Sequence, residues 1–477
     1  MLSIEDFPGT DKTPLLQSVI ASLWVDTAYQ QRARPPMFLA LGETNLSITK
    51  ILDMFTKTTI ENIHLPDHQL FQQFDLLTIR WIPGVEHLGA YLIADSQRDK
   101  NHACQLILHN ELPFECNWID FSNLTEQTFI HWERYFLEHT STYFGQEISN
   151  IEMAKAIIHD ELRKIVHIIQ DRLKEQLECQ TLATKRNQLK TKYQVSSFDE
   201  VLAITKQQTS QAKNRLNAIV HARKKLYNKM SNRNPIAIWC TKIPGLGKFI
   251  MANWSKENQY LFEKEFPELN FSTYEDSDLE KELENMEREY QQQVNDKQRR
   301  HQTVVTLEQK WQKNHQLRNK NQSRWQSLGI PDSFEQAEAF FDRTYRVLAF
   351  LLATHYWEAR FLESARQRLQ HNETPTSFQQ FYNEVTMLTP CLISTLSTAP
   401  KFFKENHQYL YEIADLLIID QASQDLPKLA APVFAFAKKA LIVGGTKQLP
   451  PIYHLPLSQE QLNLQQSELH KKEQLQL

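Results

Sequence analysis

The stretch that decides the fold is Asp415 to Gln424, DLLIIDQASQ. Four apolar residues in a row, closed by an aspartate and then polar residues, read as a short strand buried on both faces. Its nearest companion downstream is ALIVGGTKQLPPI, Ala440 to Ile452, another apolar run that empties into a Pro-stiffened loop. Upstream lies CLIST, Cys391 to Thr395, and at the other end of the chain PPMFLAL, Pro35 to Leu41. Amphipathic stretches separate these runs. One of them carries Leu15, Leu16, Val19, Ile20, Leu23 and Ala28 at helical spacing. Alternation of short apolar strands with helices implies an α/β fold with a parallel sheet, built here from both ends of the chain.

Between those ends the composition changes. LLTIRWI, Leu76 to Ile82, and ACQLILH, Ala103 to His109, are short alternating runs punctuated by WIPG and ELPF, which predicts a small β-rich subdomain. From about 147 the chain turns helical and charged. Ile158, Leu162, Ile165, Ile169, Leu173 and Leu177 recur three or four apart, as do Leu279, Leu283, Met286, Tyr290 and Val294. This predicts long amphipathic helices paired as an antiparallel, coiled-coil-like stalk. The expected organisation is therefore a first part of the α/β domain at 1–55 and an inserted β-rich subdomain at 56–146. A helical stalk follows at 147–330, a helical segment at 331–380, the second part of the α/β domain at 381–456 and a polar low-complexity tail at 457–477.

Composition bounds the function classes. The 477 residues carry 53 basic and 57 acidic side chains for a net charge of −4, so no overall basic excess advertises nucleic acid. Only ten glycines occur, which disfavours a turn-rich all-β protein. Five scattered cysteines suggest no disulfide framework. No apolar run reaches the roughly 18 residues of a membrane span, and the N-terminus lacks the apolar core of a signal peptide. A cytoplasmic protein with no membrane partner is expected.

Three segments carry candidate chemistry. DFPGTDKT, Asp6 to Thr13, stands between a strand stub and a helix, where a phosphate-binding loop of the form GxxxxGK[ST] belongs. Such a loop wraps phosphates in backbone N–H groups at a helix N-terminus, while its lysine reaches the terminal phosphates and its hydroxyl holds magnesium. Pro8, Gly9, Thr10, Lys12 and Thr13 fit, but Asp6 and Asp11 replace the framework glycines. At about 5 Å and an effective dielectric of about 20, each aspartate would cost a triphosphate on the order of 3 kcal/mol, roughly a hundredfold in affinity. Asp420 ends its strand where a magnesium-organising carboxylate belongs, and Gln421 stands where a base for the attacking water would follow. An amide accepts no proton at neutral pH. Gln448, in the loop after Val443, is positioned in sequence to sense a γ-phosphate.

Taken together these blocks resemble superfamily 1 helicases of the 5′-to-3′ branch, the group of the RNA-surveillance and Okazaki-processing helicases. DFPGTDKT is similar to the family's GPPGTGKT, LGETNLSITKI (Leu41 to Ile51) to its motif Ia, DQASQ (Asp420 to Gln424) to its DEASQ, and VGGTKQLPP (Val443 to Pro451) to its VGDxxQLPP. The resemblance covers roughly the first 55 and last 90 residues. It implies a RecA-like, AAA-type P-loop ATPase domain with ATP and magnesium as cofactors and single-stranded nucleic acid as partner. It further implies that Gly9, Thr10, Lys12 and Thr13 hold nucleotide and that Thr13 and Asp420 hold magnesium. Asp420, Gln421 and Gln448 would be the catalytic positions, and Thr44 and Asn45 would face the nucleic-acid backbone.

The departures point the other way. Asp6, Asp11, Gln421 and Gly445 each replace a residue the family's chemistry needs, and the expected product is a shortened motor half with impaired hydrolysis. Two rivals stand beside it: an interaction protein that uses the stalk to bind a partner or itself, and a nucleic-acid-binding module that works without ATP.

Weaker signals read as structure. His102, Cys104, His109 and Cys116 fit no zinc spacing. Trp81 reads as a packed side chain beside a solvated Arg80, and GLGK, Gly245 to Lys248, as a helix-hairpin turn.

Overall fold

The computed structural model describes residues 2–5, 13–42, 68–85, 87–92, 105–107, 115–116, 124–267, 269, 276–371, 377–405, 407–420, 422, 425–444, 459 and 462. They divide into two compact units, one of residues 1–173 with 325–477 and one of 174–324.

The first unit opens with β1 (Leu2–Glu5), α1 (Thr13–Tyr29) and β2 (Phe38–Gly42). After α2 (Phe74–Thr78) come β3 (Gly89–Leu92), β4 (Gln105–Ile107) and β5 (Glu115–Cys116). The helix α3 (Glu126–Phe144) is capped by Thr125 and stopped by Gly145 in the left-handed conformation, φ 63°. Then α4 (Ile151–Tyr193) enters the second unit, which holds α5 (Phe198–Ser231), α6 (Pro235–Cys240), α7 (Leu246–Phe262) and most of α8 (Asp276–Ser327).

Back in the first unit lie α9 (Phe334–Arg343), α10 (Tyr345–His371), α11 (Phe378–Leu388), β6 (Cys391–Thr395) and α12 (Ala399–Phe402). A two-stranded hairpin of β7 (Lys404–Glu405) and β8 (Gln408–Tyr409) precedes β9 (Leu416–Asp420), α13 (Pro427–Val433) and β10 (Ala440–Gly444).

One sheet organises the first unit, in the order β1-β10-β9-β2-β6-β3-β4-β5. Every neighbouring pair runs parallel except β4 with β5. The protein is thus α/β. Because side chains alternate across a strand, each apolar run feeds two cores at once. Phe38, Ala40, Cys391, Ile393, Leu416, Ile418, Leu441 and Val443 share one face, with Leu16 and Ile20 of α1 packed on it. Leu39, Leu41, Leu392, Leu417 and Ile419 point into the opposite core, which α10 and α11 fill. This two-sided burial is why these strands read as unbroken apolar runs.

Helix α10 lies at the centre of the larger core and is buried around nearly its whole circumference, from Tyr345 through Ala365. No described helix is long and apolar enough to cross a membrane.

Part of the region expected as a β-rich subdomain at 56–146 is helical among the described residues. Within LLTIRWI, residues up to Thr78 are helical in α2, and Phe74, Leu77 and Trp81 are buried at helical spacing. A short apolar run fits either period, and tertiary contacts decide. The strands described in this region, β3 to β5, extend the main sheet. The segment expected as a stalk is shared between the two units. Residues 147–173 and 325–330 belong to the first unit, where Ile151, Ala154, Ile158, Leu162 and Ile165 are in its core.

The second unit is an antiparallel helical bundle. Partners on α8 fall in number as those on α4 and α5 rise: Glu175 with Asn321, Arg186 with Glu308, Thr205 with His301, Arg223 with Glu287. Two apolar layers hold it. Phe198, Val201 and Val304 form one, and Ile219, Leu226, Phe262, Phe266, Leu279 and Leu283 form the other.

Candidate nucleotide-binding edge

Parallel strands end on the same edge of a sheet, and the ligand crevices of open α/β sheets lie outside those carboxyl ends. Four adjacent strands meet that description here. Register pairs Glu5 of β1 with Gly444 of β10, Val443 of β10 with Asp420 of β9, and Leu41 of β2 with Ile419 of β9. At the usual spacing of about 4.8 Å between strands, the ends of β1 and β9 are on the order of 10 Å apart, with β10 between them.

Each end leads into one of the candidate segments. β1 stops at Glu5, and α1 begins at Thr13, so residues 6–12 join a strand end to a helix start. β9 ends on Asp420 itself. β10 ends at Gly444, directly before the segment that carries Gln448. β2 ends at Gly42, directly before Thr44 and Asn45. Thr13 is thus the first residue of α1 and Asp420 the last of β9. Gly9, Thr10, Lys12, Gln421, Gln448, Thr44 and Asn45 lie outside the described residues, as do Asp6, Asp11 and Gly445. The zinc candidates His102, Cys104 and His109 also lie outside them, and Cys116 falls in β5.

The opposite edge of the same strands is latched. Asp415, just before β9, receives both guanidinium nitrogens of Arg34 at 2.8 and 2.9 Å, the Met37 N–H at 3.0 Å and the Lys438 ammonium at 3.0 Å. Burial disfavours the charged carboxylate, but these donors outweigh it and hold the Asp415 carboxyl below its usual range. The two aspartates of DLLIID therefore stand at opposite ends of one strand, a structural anchor at one and a candidate site residue at the other.

A charged cluster that the sequence reading did not anticipate lies beneath the sheet. Arg80 does not extend into solvent. Its Nε meets Glu358 Oε1 at 2.5 Å, and its other nitrogens donate to the carbonyls of His87 and Leu388. His355 faces Glu358 Oε2 at 2.7 Å through Nδ1 and the Leu77 carbonyl at 3.0 Å through Nε2. Both ring nitrogens face oxygen atoms. Trp81 stacks on that ring at 3.7 Å with planes 13° apart. Burial raises the cost of charge on Glu358, yet Arg80 and His355 prevail and hold its carboxyl below the usual range. The signal available in the sequence was the i, i+3 pair His355 and Glu358 soon after the apolar run Val347 to Ala353. A charge there needs a buried partner. Trp81 and Arg80 are thereby committed to the core, which leaves neither for base stacking.

No protein-family model, no curated protein and no solved structure matches this chain.

Proposed function

We propose that the chain is a helicase-like P-loop ATPase domain, acting by descent on single-stranded nucleic acid, whose nucleotide site is impaired. The observation that supports the reading is the convergence of four sequence blocks at one edge of one sheet. The segments carrying Lys12 and Thr13, Asp420 and Gln421, Gln448, and Thr44 and Asn45 all follow the carboxyl ends of β1, β9, β10 and β2, four successive neighbours.

A RecA-like core is part of the same proposal. In this reading Gly9, Thr10, Lys12 and the N-terminus of α1 receive phosphate, while Thr13 and Asp420 hold magnesium. Gln448 contacts the γ-phosphate, and Thr44 and Asn45 touch the nucleic-acid backbone. Asp6 and Asp11 repel the phosphates, and Gln421 offers no base, so ATP binds weakly and turns over slowly.

Titration of the full chain with a fluorescent ATP analogue and magnesium tests this. Weak binding is expected, with a gain of at least roughly a hundredfold when Asp6→Gly, Asp11→Gly, Gln421→Glu and Gly445→Asp are combined. Brisk polynucleotide-stimulated hydrolysis by the unaltered protein would remove the impairment. A folded revertant that still ignores ATP would remove the nucleotide site itself. A second reading, an interaction protein, draws support from the exposed apolar side chains Trp239 and Phe249 in the helical unit.

A further inference from the structure

Residues 201–256 contain eleven lysines and arginines and not one aspartate or glutamate. In a chain of net charge −4 this is a local reversal of sign. Part of it is neutralised inside the helical unit. Arg223 pairs with Glu284 and Glu287, Lys229 with Glu257, and Arg233 with Asp276 while lying over the Trp254 ring. Lys242 and Lys248, on the hairpin formed by α6 and α7, make no ion pair among the described residues.

That hairpin folds with its apolar side chains outward. Helix α6, PIAIWC, buries none of its residues. Ile236 is 70% exposed and Trp239 65%, and across the turn Phe249 is 73% exposed. Ile238, Ile243 and Leu246 are exposed as well. The turn itself is well defined. Asn234 caps α6, Gly245 adopts φ 89°, and a side chain at Gly247 would meet the Thr241 carbonyl oxygen at 2.1 Å. A built hairpin that displays tryptophan, phenylalanine and isoleucine to water has a covering surface as its natural counterpart.

We infer that the α6–α7 hairpin docks into the headgroup region of an anionic lipid bilayer. Charge and side-chain type select this occupant together. An acid-free basic segment complements anionic headgroups, at roughly fivefold in affinity per lysine near the surface. Tryptophan favours the membrane–water boundary. Lysine stems lie along apolar surface while their heads stay in water, which suits Lys242 and Lys248 beside the apolar group. The aliphatic side chains decide against nucleic acid. Base stacking uses aromatic and guanidinium faces, and Ile236, Ile238, Ile243 and Leu246 offer none, whereas acyl chains receive them. The contact is peripheral, and it is independent of the nucleotide reading.

The test is co-sedimentation of the full chain with phosphatidylcholine vesicles containing phosphatidylserine, against phosphatidylcholine alone. Binding is expected only with phosphatidylserine and should weaken as salt is raised. Trp239→Ser with Phe249→Ser should cut partitioning at least tenfold, and Lys242→Gln with Lys248→Gln should cut it by roughly an order of magnitude or more. All four side chains lie outside the packed layers of the unit, so circular dichroism and the unfolding midpoint should stay unchanged. Three results would overturn the inference: no binding to phosphatidylserine vesicles, binding that the Trp239 and Phe249 substitutions leave intact, or a dimer or single-strand complex of the unaltered protein that those substitutions abolish while vesicles are ignored.

Discussion

Asp415 accepts a bidentate pair of hydrogen bonds from Arg34, a residue 381 positions earlier in the chain, at 2.8 and 2.9 Å. The same carboxylate takes the Met37 N–H and the Lys438 ammonium, so one side chain ties the approaches to β2, β9 and β10. The two halves of the sheet, separated in sequence by the whole insertion, are joined at this edge by that fork.

Asp415→Asn and Arg34→Ala should each lower stability by about 1–2 kcal/mol, the value of a charge-assisted fork discounted for its partial exposure. The pH dependence has a defined sign. The folded-state pKa of Asp415 lies below the ordinary value, so its contribution is fully present above the unfolded carboxylate pKa of about 3.9. It is lost as pH falls through the lower folded value. Guanidinium unfolding at a series of pH values should show the difference between native protein and Asp415→Asn shrinking on acidification. A difference independent of pH would show that the fork stabilises nothing through its charge.

Glu358→Ala should destabilise far more, by roughly 3–5 kcal/mol, because it strands Arg80 and His355 in the core. Arg80→Met combined with Glu358→Leu and His355→Leu should recover a large part of that loss, since apolar replacement of a buried ion cluster is often neutral. Urea midpoints of the single and triple variants measure this. A triple variant no better than Glu358→Ala would mean that the cluster sets the fold through its geometry.

Two glycines in the same turn should fail for different reasons. Ala at Gly247 drives a Cβ to 2.1 Å from the Thr241 carbonyl oxygen and should cost roughly 1–3 kcal/mol of hairpin stability. Ala at Gly245 meets no atom within 4 Å but must adopt φ 89°, a conformational cost of about 1 kcal/mol or more. Amide exchange across 236–250 reports both, and vesicle binding should fall with loss of protection. Equal, negligible effects would show that the turn is not held as described.

If the proposed nucleotide site is right, then within the variant combining Asp6→Gly, Asp11→Gly, Gln421→Glu and Gly445→Asp, Lys12→Ala should return ATP affinity toward that of the unaltered chain, by a factor of tens or more for a charge-assisted contact. Fluorescence titration measures it. Undiminished binding would place the nucleotide elsewhere.

The strands were legible because burial on both faces writes a continuous apolar run. FLALG, CLIST, LLIID and ALIVG each form the strand their composition implies, within a residue or two. LLTIRWI was not legible, since seven residues cannot distinguish a period of two from one of 3.6 once helix and sheet can both use the apolar side chains. Of the candidate site, the sequence supplied the residue types, whereas their common edge depends on β10 lying between β1 and β9, which no local pattern encodes.

Membrane reasoning divides in the same way. A spanning segment is a one-dimensional property of composition, and no described helix is long and apolar enough to be one. A peripheral contact depends on which apolar residues remain uncovered after folding. Trp239 and Phe249 have the same composition signal as the buried Trp325 and Phe262.

The sequence by itself determined the α/β class, the long helices and the presence of Asp6 and Asp11 before α1, because each is carried by neighbours within a few turns of chain. Only the tertiary structure decided that Asp415 anchors while Asp420 ends at the candidate edge, that Arg80 is buried against Glu358, and that Trp239 and Phe249 of the α6–α7 hairpin are exposed. Those outcomes follow from side chains meeting across 278 and 381 positions, or being left exposed. Such encounters depend on how distant segments pack, and local propensity carries no record of them.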